Sequence, residues 1–177
     1  IFFDFEPIYG NKDLVENMSE GIFESISKHE IFLNHLGGNA LKNPPPLSFF
    51  RQFLVEQSGE HKDQFDIKTR AMMPLVDAAR LLILSNNIKA HNNTILRYEK
   101  LIEVEPQNKE LYNDCLIAFK NLLHFRTAQG LKHHDSGRFI DLKSLSKADR
   151  LELKNCFKAI KEIQELILVR FNLSQFL

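Results

Sequence analysis

Long apolar runs are missing from this 177-residue chain, and with them the roughly 18 consecutive apolar residues that a membrane-spanning helix needs. The apolar start, Ile1 to Phe5, has neither a basic lead nor a small-residue cleavage site, so it does not read as a secretory leader. No Met opens the chain, which suggests a piece of a longer protein. Net charge is also lacking: 23 basic and 23 acidic side chains cancel. That argues against a surface-wide field for nucleic acid or anionic lipid, while leaving room for a local basic patch. Cysteine is scarce. Cys115 and Cys156 have no metal-ligand spacing and make a poor disulfide framework. They read as packed core residues in a reducing, cytoplasmic protein. P-loop, H-E-x-x-H and G-x-S-x-G patterns are absent as well.

What is present is enough apolar residue, 44% of the chain, to fill a core. Ile1 to Phe5 is β-prone but too short to form a sheet alone, and Pro7 and Gly10 follow it. Asn11 can cap a helix over about 12–28, with Leu14, Val15, Met18, Ile22 and Ile26 on one face. A second helix over about 30–41 contains Gly37-Gly38, expected to weaken or kink it, and Pro44-Pro45-Pro46 stops it. The stretch 47–73 is hard to read: Phe49, Phe50 and Phe53 suggest a helical turn, Gly59 a loop, and Phe65 to Lys68 an extended piece. Pro74 opens a helix to Asn86 that is apolar on most sides and therefore central. Thr94 is placed to cap a short helix, 95–104. Pro106 opens a long one to about His134, with Gly137 as the expected terminator. Ser146 and Asp149 form a capping signal before the last helix. The pattern predicts an all-α, antiparallel helical bundle with one short strand at its front.

Four polar constellations stand out. Glu60-His61-Lys62-Asp63 with Asp66 and Lys68 is either a solvated loop or a polar ligand site, and Lys68 could meet a phosphate or carboxylate as a point charge. Asp77 and Arg80, three apart on the most apolar helix, are an ion pair at the core's edge or an arginine aimed into a cleft. Asn92-Asn93-Thr94 before Arg97 is a cap or an anion site. Arg126 and Gln129 precede His133-His134. The Arg126–His133 spacing resembles that of the helical ribonucleases of the HEPN superfamily, which would need a homodimer; a solvated helix end is the alternative.

Taken in order, a set of landmarks runs nearly end to end. It comprises Phe2-Phe-Asp-Phe5 with Tyr9-Gly10, Pro45-Pro46 with Phe50, Gly59-Glu-His-Lys62, and Phe65-Asp-Ile-Lys68. Pro74-Leu-Val-Asp-Ala-Ala-Arg80, Asn93-Thr94 with Arg97, Arg126 with Gln129, and Leu145-Ser146 complete it. This arrangement resembles the nucleotidyltransferase substrate-binding domain family, the C-terminal helical domain of nucleotidyltransferases that carry CBS and cyclic-nucleotide-binding domains. It is also similar to the helical region after the catalytic domain of PII-protein uridylyltransferases. The resemblance implies that residues 1–10 are the closing strand and linker of a catalytic domain, and residues 11–177 the substrate-binding domain. It implies Lys68, Arg80, Thr94, Arg97, Arg126 and Gln129 as substrate-binding residues, with no catalytic or metal-ligating residue here. Magnesium and a nucleoside triphosphate would sit on the upstream domain, since the Gly-Ser…Asp-x-Asp signature that holds magnesium is absent from this chain. The implied partners are that upstream domain and a nucleotide or protein acceptor, with no membrane and no nucleic acid. The alternative implied role is a structural domain relaying CBS or cyclic-nucleotide signals. One departure stands in the pattern: Glu6 occupies a place where the family often has arginine.

Overall fold

The computed structural model describes residues 5–43, 46, 53–89 and 91–176. The expected strand, apart from Phe5, lies outside the described residues, as do Phe49, Phe50 and the first two residues of the Pro44–Pro46 run. Among the described residues there are six α-helices: α1 (Lys12–Lys28), α2 (Glu30–Leu41), α3 (Met73–Ser85), α4 (Thr94–Val104), α5 (Lys109–His133) and α6 (Lys147–Arg170). A two-residue antiparallel pairing joins β1 (Phe65–Asp66) to β2 (Phe139–Ile140), with Phe65 opposite Ile140. The fold is the expected all-α bundle.

Local chemistry explains the boundaries. Asn11 accepts the Asp13 amide and starts α1. At α6, Ser146 and Asp149 exchange hydrogen bonds in a complete capping box. Asn93, not Thr94, caps α4: its side chain accepts from the Ile95 and Leu96 amides, and Thr94 is the first helical residue. Asn is as good a cap as Thr and here stands one residue earlier. Gly37-Gly38 does not interrupt α2. Gly37 instead admits close packing, because a Cβ there would sit 2.6 Å from a Leu173 methyl and 3.3 Å from Leu81. The long helix ends on His134, in the left-handed region at φ 55°. Gly137, also left-handed at φ 61°, serves the return turn, where a Cβ would lie 1.8 Å from the Arg126 carbonyl oxygen.

α3 is the central helix, as its apolar sequence implies: Leu75, Ala78, Ala79, Leu81 and Leu82 are wholly buried. α4 packs against it, with the Tyr98 hydroxyl donating to the Leu75 carbonyl at 2.8 Å. α5 and α6 form the other main pair; the Cys115 thiol meets the Ala159 carbonyl between them. Both cysteines are buried and unpaired. Burial pushes both thiols up, Cys156 to about 12, so neither is a ready nucleophile. α1 lies outermost. Phe23 and Ile26 pack on Leu84, whereas Leu14 and Met18 are exposed, so α1 seats on its C-terminal half. No described helix is long and apolar enough to cross a membrane.

Candidate functional site

The loop 86–93 leads from α3 to α4, and α1 packs on α3 through Phe23, Ile26 and Leu84. The gap between them is a cavity of about 530 Å³, within the usual range for small-molecule sites. Arg80 and Ile83 from α3, Lys89, His91 and Asn92 from the loop, and Leu96 and Arg97 from α4 line one wall. Lys12, Glu16, Ser19, Glu20 and Phe23 line the other, following the three- and four-residue spacing that puts them on one face of α1. Residues Phe5 to Pro7 border the opening, and Asn92 donates to the Phe5 carbonyl at 2.9 Å.

The cations are held in different ways. Arg80, with a side chain 14% exposed, donates to Asp77 at 2.8 Å, so the intrahelical pair and the cleft-facing arginine are both present. Arg97 is buried, and its Nε donates to the His91 carbonyl at 2.7 Å. It fixes the loop's geometry while lining the cavity. Lys89 is exposed and lies 5.6 Å over the Phe23 ring. The cavity thus combines an apolar floor with charged side chains of both signs.

The other sequence-nominated residues lie as follows. Thr94 is buried at the first position of α4, next to the cavity-lining Asn93. Lys68 is exposed at the start of a π-helical turn, Lys68–Met72, that runs into α3. Gln129 is buried on α5. Arg126 lines a separate shallow hollow at the end of α5, and its Nε donates to the Ser136 carbonyl at 3.1 Å. His133 is exposed on the last position of that helix. The structure therefore brings Arg80 and Arg97 onto one concave surface with Thr94 beside them, and sets Arg126 in another hollow.

In the Glu60–Asp66 region, His61 stacks on Phe139 at 3.6 Å, and Glu60, Lys62 and Asp63 are exposed. Asp66 is buried and accepts from the Thr69 amide and from two Arg138 nitrogens. Burial alone would raise its carboxyl; the Arg138 fork and Thr69 hold it below the ordinary range. Asp66 thus ties β1 to β2 and caps the turn.

Sequence reasoning missed a second buried carboxylate. Glu105 accepts both Arg170 amino groups at 2.7 Å, the Tyr112 hydroxyl at 2.5 Å, Asn86 at 2.7 Å and Asn108 at 2.9 Å. Burial, the largest single influence, would raise this carboxyl, but the hydrogen bonds outweigh it and hold the group down at about 2. Every acceptor direction is used, which makes Glu105 a clasp between the ends of α3, α4 and α6 and the start of α5. Lys12 and Lys89 were missed too; the former follows from placing the charged stripe of α1 toward a cavity.

A helical bundle with a cavity of mixed polarity has the build of a ligand-binding domain. Residues 30–171 match the family described as "Putative nucleotidyltransferase substrate binding domain", and the chain belongs to that family. No curated protein and no solved structure matches it. The matched span contains the Arg80–Arg97 wall and excludes α1.

Proposed function

We propose that this domain holds the phosphate-bearing substrate of a nucleotidyl transfer, nucleotide or acceptor, for a catalytic domain upstream in the same protein. The cavity between α1, α3 and α4 is the observation that carries the reading. Arg80, anchored by Asp77, needs little reordering to meet an anion, and the apolar floor lowers the local dielectric and so strengthens the contact. Holding one reactant in place converts its binding into rate through orientation. Among the described residues no group of three or more His, Cys, Asp or Glu is placed to hold a metal. The reading assigns magnesium, and the charge it neutralises in the transition state, to the upstream domain. The order of the sequence landmarks, which resembles that of the helical region of PII-protein uridylyltransferases, supports the same reading. A purely structural domain relaying CBS or cyclic-nucleotide signals would have its polar residues spent on one another with no cleft between them. A cavity of about 530 Å³ favours the substrate reading.

Calorimetric titration of nucleoside triphosphates into the chain tests it. Lys89→Glu is expected to weaken binding about tenfold or more, because it replaces an attraction with a repulsion at the cavity wall, and added salt is expected to shrink the difference. The same affinity in wild type and variant would remove Lys89 and this cavity from the substrate site.

A further inference from the structure

The charges around the cavity are not mixed evenly. On the α3–α4 wall they are positive, from Arg80, Lys89 and Arg97. On α1 they are chiefly negative: Glu16 and Glu20 stand one turn apart, next to Phe23. Among the described residues, neither glutamate makes a side-chain hydrogen bond or ion pair, so their acceptor positions remain available. A simple polyanion would gain from one wall and be repelled by the other. The lining suits a molecule with an anion at one end, an apolar planar body, and hydrogen-bond donors at the far edge.

Resting on the reading above, we infer that the cavity selects a nucleotide whose base carries an exocyclic amine, and that Glu16 and Glu20 make the selection. The phosphate meets Arg80 and Lys89. The base lies on the apolar floor of Ile83, Leu84 and Leu96, with its polar edge toward α1. Ionised carboxylates only accept hydrogen bonds. Adenine and cytosine present an amine donor at that edge, whereas uracil presents a carbonyl at the matching position, acceptor against acceptor. Guanine, with both an amine and a carbonyl, falls between. The assignment is independent of the family match, because both glutamates precede the matched residues.

The test is titration of AMP, CMP, GMP and UMP, without metal, into the whole chain, wild type and Glu16→Gln/Glu20→Gln. Both side chains are exposed on α1, so the double variant keeps the fold. AMP and CMP are expected to bind about tenfold more tightly than UMP, the discrimination of a single well-placed base contact. In the double variant the ratio is expected to fall below about threefold, since an amide can donate to the uracil carbonyl as well as accept. UMP binding as tightly as AMP in wild type, or a preference that survives in the double variant, overturns the selection. If binding is indiscriminate but still sensitive to Lys89→Glu, the substrate reading stands and only the selection fails. If no nucleotide binds, both fall.

Discussion

Glu105→Ala is expected to cost about 3 to 5 kcal/mol of folding stability, the range for breaking a buried ion pair by removing one partner. The cost arises because Tyr112, wholly buried, loses the acceptor of its hydroxyl; Arg170, with a side chain 27% exposed, loses both of its acceptors; and Asn86 and Asn108 each lose one. Urea denaturation of wild type and variant measures the loss, and a difference under about 1 kcal/mol would contradict the clasp. The sign of the pH effect follows from the same contacts. The ordinary value for this carboxyl is 4.5 and the folded value about 2. A depressed carboxyl stabilises the fold fully above pH 4.5 and loses that contribution as pH falls through about 2. Between those limits the unfolding midpoint of wild type is expected to fall more steeply than that of Glu105→Ala.

Arg80→Ala is expected to lower kcat/KM for nucleotidyl transfer about ten- to hundredfold in the protein that joins this domain to its catalytic partner. A charge-assisted hydrogen bond to an anion contributes about 1.5 to 3 kcal/mol, and each 1.4 kcal/mol is a factor of ten. The structural cost is smaller. Asp77, whose side chain is 20% exposed, loses a partner but can turn to water. Steady-state kinetics beside a melting curve separates the two effects. A folded variant with unaltered kcat/KM would place the substrate elsewhere.

How much of this was legible in the sequence depends on the range of the interaction. The capping box at Ser146 and Asp149, the Asn11 cap and the apolar wrap of α3 are local signals, and the sequence carries them within one or two turns. Asn93 and Thr94 both suit a cap, so the one-residue shift is the ordinary ambiguity of adjacent capping residues. Gly37 misled because a glycine pair lowers helix propensity, yet the contact that requires it comes from Leu173, at the other end of the chain. Tertiary packing overrides propensity there. The Glu105–Arg170 clasp joins residues 65 apart, and nothing in the neighbourhood of either announces the other. For the site, the helix and loop wall was readable, since Asp77 and Arg80 interrupt the most apolar helix and Arg97 follows the Asn92-Asn93-Thr94 capping run. The α1 wall was not, because a Lys12–Glu16–Glu20 stripe at four-residue spacing reads equally well as a solvated face.

A crystal structure of the chain soaked with a nucleotide is the most direct measurement of the central claim. The account predicts ligand density between α1, α3 and α4, with the phosphate against Arg80 and Lys89. Density at the Arg126 hollow with that cavity empty would contradict it.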